Sequence, residues 1–350
     1  MGIKVNHLVI KIMERSDNIT LDMGGGGAKS NEIIYEIRKN FSGVGKWKNT
    51  EDDGAVFDLG NPSVRLGKNF FAKNLVFTTD AFIVDPIFFP GGDIGKIAMC
   101  GTVNDLAVMG AKPIGIGLSL VIEEGFPIED LRKIMQSIGK ISKEVGVPIV
   151  TGDTKVTEKG KIDKIEITTS GVGLAQNVIA NGGIKVGDYI IVSGDLGEHA
   201  VTLLAKRFNY KTKIRSDCQP LIGELSKVGK YLNACKDPTR GGLAANLNEM
   251  VQKSKVKVIL DEKNLPYKKE VVAVTELLGL DKFSLASEGR FIASVSPKDI
   301  KKVLNILKKF NPEAKVIGRA ERGRGVFVET ELGGLRQIEV PRGKLIPRIC

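Results

Sequence analysis

The sequence predicts an α/β or α+β fold in two domains, and three observations carry that expectation. The chain has 350 residues, against the ~100 to 200 residues usual for one domain. Short runs rich in Val, Ile, Phe and Thr alternate with segments whose apolar residues recur every three or four positions, the pattern of strands alternating with amphipathic helices. A glycine-rich break from Asn181 to Gly187 (NGGIKVG) separates one such series from the next and places a boundary near residue 177. The expected division is 1–177 and 178–340, with 341–350 as a tail.

Taken in order, LDMGGGGAKS (21–30) reads as a glycine loop opening a helix on which Ile33, Ile34, Ile37 and Phe41 share a face. NLVFTTDAF (74–82) reads as a strand ending at Asp80, and after the Pro/Gly stretch IVDPIFFPGGDIGK a helix begins near Asp93. From Ile128, the spacing of Leu131, Ile134, Met135, Ile138, Ile141 and Val145 predicts a helix lying on a sheet. IVTGDTK (149–155) is the next strand, with an acid at its end. The second series opens with DYIIVSGDLG. Its best-punctuated helix has Ser296 as N-cap, Pro297 at the first helical position and Asp299 as the capping-box acid. That helix is expected to bury Ile300, Val303, Leu304, Leu307 and Phe310. VKVILDE, GRFIASVS, AKVIGRAE and GVFVET supply strands. The last ten residues, PRGKLIPRIC, hold two prolines and a glycine and can continue neither kind of element.

Composition narrows the class of function. A hydrophobic content of 42% with 27% charged residues excludes a disordered chain. The net charge of +11 suits an anionic partner. However, Lys298, Lys301, Lys302, Lys308 and Lys309 fall on solvated helical faces, and no aromatic-interleaved basic motif is present, so nucleic acid is not expected. Cysteines at 100, 218, 235 and 350 lack C-x-x-C spacing and the only histidines are His7 and His199, which disfavours structural zinc. His199, in GDLGEHAV, reads as packing near a helix start. No apolar run reaches the ~18 residues of a membrane span, and no leader pattern opens the chain. A cytoplasmic protein with reduced thiols and no membrane contact is the expectation.

Acids set at strand ends or in glycine-flanked turns are the informative pattern: Asp53 in EDDGAV, Asp80 in TTDAF, Asp105 in VNDLAV, Asp153 in TGDTK and Asp237 in KDPTRGG. Oxygen ligands drawn from several loops, together with phosphate oxygens, suit Mg²⁺. Turn and cap duty is the alternative for any one of them. The loop containing Gly25 and Gly26 could wrap phosphates with backbone N–H groups, although it matches neither the P-loop nor the dinucleotide fingerprint. Lys155, in the same segment as Asp153, could neutralise charge developing on a transferred phosphoryl group. Glu288, in LASEGR, could act as a general base or serve as a turn acid. Cys350, on an arm stiffened by Pro and Gly, is expected to lie exposed and could carry a covalent group. It is not a prenylation box, which places the cysteine four positions from the end.

Taken together, TTDAFIVDPIFFPGGDIGK, CGTVNDLAVMGAKP, VTGDTKV, KDPTRGGLAANLNE, SEGR, TELGG and the ending PRIC resemble the hydrogenase-maturation carbamoyl dehydratase (HypE) family across the whole chain. That family belongs to the superfamily of aminoimidazole ribonucleotide synthetase and selenophosphate synthetase. The resemblance implies the aminoimidazole ribonucleotide synthetase-like fold of two α/β domains, with N-terminal strands pairing across a homodimer into a β-barrel and a flexible C-terminal tail. It implies that Cys350 receives a carbamoyl group from the carbamoyltransferase HypF, and that ATP drives its dehydration to a thiocyanate. The nitrile would then pass to iron on a HypC–HypD scaffold. Carried over residue by residue, Asp53, Asp80, Asp105 and Asp153 would bind Mg²⁺ and phosphate. Lys155 would stabilise charge at the amide oxygen, and Glu288 would remove the N–H proton. Asn104, Thr154, Asp237 and Arg240 would support nucleotide or tail positioning. The chain departs from the family pattern at Met23 (His in the family), Ala81 (Ser) and Ser287 (Asn). The relative selenophosphate synthetase uses a cysteine near its N-terminus; the first here is Cys100, inside an expected helix. Phosphorylation of an amide oxygen on a free small molecule is the alternative within the superfamily, and an RNA-binding scaffold is the alternative outside it.

Overall fold

Asp93 starts the helix around which the first half is built. Its Oδ1 accepts from the backbone N–H of Lys96 at 2.9 Å, capping Ile94–Val108. The computed structural model describes residues 18–41, 43–60, 64–65, 71–342 and 348–350; His7 lies outside the described residues. We label the principal helices of the first half α1 (Ala28–Arg38), α2 (Ile94–Val108) and α3 (Ile128–Val145). Its strands are β1 (Trp47–Lys48), β2 (Ala55–Asp58), β3 (Asn74–Phe82), β4 (Lys112–Glu123), β5 (Ile149–Thr157) and β6 (Ile165–Ala175).

These strands form one open sheet in the order β1-β2-β3-β6-β4-β5. All pairs are antiparallel except β4 and β5, which α3 connects as a parallel crossover. Helix α2 lies on one face of this sheet. Glycine makes that approach possible, since a Cβ on Gly171 would sit 2.6 Å from Thr102 Cγ2 and one on Gly101 would sit 2.9 Å from the Phe82 ring. Among the described residues no closed barrel forms, and none of them covers the opposite face of the sheet. Register places Trp47, Phe57, Phe77, Thr79, Ala81, Thr168, Ser170, Ser119 and Asp153 on that open face. At one end of it, Trp47 packs its ring against Phe57 and Phe77 at centroid distances of 5.3 and 6.5 Å.

The second half contains β7 (Tyr189–Val192), α4 (Glu198–Arg207), α5 (Ile222–Val228), β8 (Leu232–Lys236), α6 (Gly242–Ser254), β9 (Lys257–Asp261) and α7 (Lys269–Leu278). It continues with β10 (Ile292–Val295), α8 (Ile300–Leu307), β11 (Lys315–Glu321), β12 (Gly325–Glu329) and β13 (Leu335–Ile338). Its sheet runs β8-β10-β7-β11-β9-β12-β13, with β9 and β12 parallel. Apolar residues of both halves merge into one cluster in which Ile94, Ile97, Cys100 and Val103 of α2 join Ala200, Val201 and Leu203 of α4. A site at this junction is therefore held by core packing rather than by a hinge. No helix among the described residues is long and apolar enough to cross a membrane.

The structure departs from the sequence expectations in four places. Ile34, Ile37 and Phe41 are exposed, and Phe41 lies beyond the end of α1, so the helix forms without burying the face its spacing suggested. Asp80 and Asp153 sit inside strands rather than at their ends, because β3 runs on to Phe82 and β5 to Thr157. Helix α8 starts at Ile300. Ser296 spends its hydroxyl on Asp299 Oδ2 at 3.0 Å, residues 297–299 form a turn, and Phe310 stays exposed. Finally, residues 348–350, expected in a free arm, are docked against the body of the protein, with Ile349 buried in the shared cluster and Cys350 packed beside it.

Candidate active site

Four acids converge on the junction from separate elements: Asp53 from the turn before β2, Asp80 from β3, Asp105 from the last turn of α2 and Asp237 from the loop after β8. Asp53, Asp105 and Asp237 each bring a carboxylate oxygen within 4.8 Å of the other two. Thr78, two residues from Asp80 on the same strand face, donates its hydroxyl to Asp105 Oδ2 at 2.8 Å. Lys236, which the sequence reading passed over, ion-pairs with Asp53. Its place immediately before Asp237 in KDPTRGG was the available signal.

Crowding these charges in a buried site has a measurable consequence. Burial, reinforced by Asp80, Asp237 and Asp53, holds the Asp105 carboxyl well above the usual carboxylate range. Asp237 is pushed up to about 8 by burial and then by Asp53. Burial also raises Asp53 despite its lysine partner. Lys236 moves above its usual range because Asp53 and Glu249 outweigh a burial effect of opposite sign. A divalent cation would relieve the repulsion, and the donors fit one. They are hard carboxylate oxygens from three elements, and the buried Asp53 Oδ2 has no hydrogen-bond partner among the described residues.

Glu288 precedes β10 and is fully enclosed. Its backbone N–H donates to Asp217 Oδ1 at 3.0 Å and its Oε1 has no partner among the described residues. Burial, followed by repulsion from Asp237 and Asp217, raises its carboxyl well above the ordinary range. Asn104 fixes this segment. Its amide donates to the Gln219 carbonyl at 3.0 Å and the Glu288 carbonyl at 3.3 Å, while its Oδ1 accepts from Leu221 N–H at 2.7 Å. Both ends of that side chain are thus committed to backbone, an arrangement that positions Glu288.

Cys350 completes the cluster. Burial pushes its thiol up to about 12 against the opposing pull of Arg240, with Glu288, Asp80 and Asp237 adding to the rise. The same charge interaction raises the Arg240 guanidinium, with Cys350 its largest cause. The glycine loop packs against Arg240. A Cβ on Gly26, which has a φ of +86°, would meet the Arg240 backbone at 3.0 Å, and Gly25 is buried beside it. Met23 offers only its carbonyl here, accepting from Ser30 Oγ at 2.7 Å. The Ser287 hydroxyl accepts from Gly197 N–H at 2.8 Å, fixing the start of α4, and also hydrogen-bonds Asp217, the acid that receives the Glu288 N–H.

Asp153, Thr154 and Lys155 are not brought to this cluster within the chain. All three are exposed on β5, the edge strand of the open sheet. Asp80 shares its cross-strand row with Thr169, Leu118 and Gly152, which puts its side chain on the α2 face. Asp153 and Lys155 pair with Ser119 and Val121, and therefore point to the opposite face. Ala81 also lies on that open face.

Comparison with known proteins follows the same division of the chain. Residues 51–175 match the family described as AIR synthase related protein, N-terminal domain, and residues 185–331 match its C-terminal domain. A carbamoyl dehydratase HypE from Cupriavidus necator is 40% identical, with 96% of each chain covered. The crystal structure of a HypE–HypF complex superposes with a TM-score of 0.79 at 36% identity, covering 88% of this chain and 99% of that one. The crystal structure of a hydrogenase maturation protein HypE in complex with ATP gives 0.77 at 33% identity, covering 95% and 100%. On this full-length similarity, the chain belongs to the AIR synthase related family and, within it, to the carbamoyl dehydratases HypE of hydrogenase maturation.

Proposed function

We propose that this enzyme is an ATP-dependent carbamoyl dehydratase whose substrate is a carbamoyl group carried on its own Cys350. The observation that carries the reading is the docking of Cys350 beside Arg240 and Glu288, next to the acid cluster. A carbamoyl group on that sulfur would enter a site already furnished with a buried carboxylate and a cationic neighbour. An amide oxygen does not leave as oxide. Attack of that oxygen on the terminal phosphorus of ATP releases ADP and makes the oxygen part of a phosphate ester. Cleavage of the C–O bond then expels phosphate and leaves S–C≡N. The two N–H protons depart along the way, and Glu288 is the base we assign to them. ATP is consumed as a reagent, and the oxygen lost by the amide ends in phosphate.

Asp53, Asp105 and Asp237, with Asp80 adjacent, would hold Mg²⁺, which supplies neutralisation of phosphate charge when bound. The glycine loop at Gly25 and Gly26, packed against Arg240, would lie along the nucleotide phosphates. Asp153, Thr154 and Lys155 would complete the site from a second chain. An open face with exposed aromatics and a nine-residue edge strand favours pairing with another copy into a closed barrel. Asn104 serves by fixing Glu288. HypF, crystallised with a relative, is the proposed carbamoyl donor, and a HypC–HypD complex the nitrile acceptor.

Mass spectrometry of the tail peptide tests this. After incubation with HypF and its carbamoyl donor, Cys350 should carry a carbamoyl adduct, and addition of ATP should remove the mass of one water from it. An unmodified Cys350 under conditions in which a diffusible compound is turned over would sink the assignment in favour of the small-molecule alternative.

A further inference from the structure

The Ile349 side chain is buried in the shared cluster and the Arg348 guanidinium pairs with Asp163, and beside these side-chain anchors the backbone of the last residues is gripped at several points. Ile83 N–H donates to the Cys350 main-chain oxygen at 3.3 Å and Asp85 N–H to the Arg348 carbonyl at 3.2 Å. This is a short antiparallel addition to the chain leaving β3. Two side chains of α4 seize the same backbone from the other side. His199 Nε2 lies 2.7 Å from the Ile349 carbonyl, and the Arg207 guanidinium donates to the Arg348 carbonyl and to the Asp85 carbonyl. His199 and Arg207 are two turns apart on one helix, which matches their grip on neighbouring carbonyls.

The hydrogen-bond chain fixes the state of the imidazole. A carbonyl only accepts, so Nε2 carries the hydrogen, and Nδ1 takes the Ser216 hydroxyl at 2.8 Å. Ser216 is itself anchored by its own N–H to the Pro90 carbonyl and by the Cys218 N–H to its Oγ. Phe89 packs edge-on against the ring at 5.4 Å. Burial depresses the His199 pKa to about 4, so the donor stays neutral across physiological pH. The hydrogen bonds that His199 and Arg207 make to the tail fall on its main-chain carbonyls.

We infer that His199 and Arg207 are positioning residues that clamp the carbonyls of Ile349 and Arg348, thereby setting the reach of Cys350 into the site. The inference rests on the reading of Cys350 as the substrate-bearing residue only for its catalytic consequence; the clamp itself can be tested without that chemistry. Because the clamp reads carbonyls, it holds the tail whether or not the sulfur is carbamoylated.

The test is thiol labelling of the full chain with iodoacetamide, resolved by peptide mass. The protein has four free cysteines, of which Cys100, Cys218 and Cys235 are buried and report on the rest of the fold. His199→Ala and Arg207→Met should each speed labelling of Cys350 by about tenfold or more while the other three stay protected. In the dehydration assay, kcat should fall with the KM for ATP unchanged, and His199→Gln, which keeps an N–H donor, should recover part of it. Labelling of Cys350 at the wild-type rate in both variants would overturn the clamp even if wild-type dehydration is robust. So would equal acceleration of all four thiols together with a stability cost of His199→Ala that persists when residues 348–350 are deleted. Absence of dehydration in the wild type, with the labelling contrast intact, would instead strike the function and leave the clamp standing.

Discussion

The junction cluster and the open face of the first sheet are built from the same strands, yet they obey different rules. At the junction, Asp80 and Thr78 point toward α2, and each polar group is surrounded by elements from both halves. On the other face, one residue along in register, Asp153 and Lys155 stand in solvent with nothing from the described residues over them. Burial makes the first region chemically committed, with carboxyls displaced far from their ordinary range. The second region is chemically ordinary and sterically unfinished. One chain therefore brings together the proposed base, the acids and the sulfur, while the strand proposed to supply the phosphoryl-stabilising lysine lies apart from them.

The largest effect should come from the committed side. Glu288→Gln keeps size and hydrogen-bonding capacity but cannot take a proton, so dehydration of carbamoylated Cys350 should fall by roughly 10³-fold. ATP affinity, measured by calorimetry, should stay within about twofold, because the side chain is assigned to the amide rather than to phosphate. A rate within tenfold of wild type would remove Glu288 from the mechanism and with it the case that burial marks the reacting centre.

His199 tests the same side through stability. Its pKa is lowered from 6.5 to about 4 in the folded protein. Above pH 6.5 the ring is neutral in folded and unfolded chains alike. As pH falls below that, the unfolded chain takes up a proton that the folded chain refuses, until the ring titrates near 4. Stability is therefore lost across that window, by about 3 kcal/mol in all. Urea melts of wild type and His199→Gln at pH 7 and pH 4 isolate this contribution, since other acid-titrating groups cancel between the two proteins. A wild-type loss no greater than that of the variant would mean that the ring is solvated rather than locked between Ser216 and Ile349.

The same contrast explains what was legible beforehand. Strands such as Asn74–Phe82 and helices such as Ile128–Val145 announce themselves because period and punctuation agree locally. Asp53, Asp105 and Asp237 could be picked out by their turn and glycine settings, but their convergence could not, since it depends on how β2, α2 and β8 pack. Lys236 and Arg207 were missed for the same reason: a lysine or arginine is read as solvated until its partner comes from a distant segment. The docking of Cys350 was misjudged because Pro and Gly near a chain end signal an extended arm and say nothing of the surface that receives it. Asp153 was grouped with the other acids, and Lys155 set beside it, because of their place at an expected strand end, but strand pairing shows that both point to the opposite face.

On the unfinished side, Lys155→Ala should slow dehydration by about 10²-fold, the usual scale for losing a charge stabiliser of a transferred group. Mixing sharpens the point. If Lys155 serves the partner's site, a hybrid of Lys155→Ala with Glu288→Gln contains one site with both residues intact, and activity should reappear when the two inactive proteins are combined and allowed to exchange. If Lys155 serves its own chain, every site stays defective and the mixture remains inactive. Persistent inactivity after exchange has been verified by differential tagging would place the whole reaction within one chain.

The smallest expected effect on the fold itself comes from Thr168→Lys. Thr168 lies on the open face of the central strand β6, between Ala81 of β3 and Ser119 of β4. In an isolated chain the lysine extends into water, and stability should change by less than about 0.5 kcal/mol. In a barrel closed by a second copy, the same ammonium would be trapped between two sheets, flanked by Ala81 and Ser119 with the acid of its row, Asp153, two strands away, and association should fail. Sedimentation should therefore show a dimer for wild type and a monomer for the variant, with matching thermal melts at low concentration. A variant that still dimerises would mean that the open face is not the one that closes, and that Lys155 must find its phosphoryl group by another route.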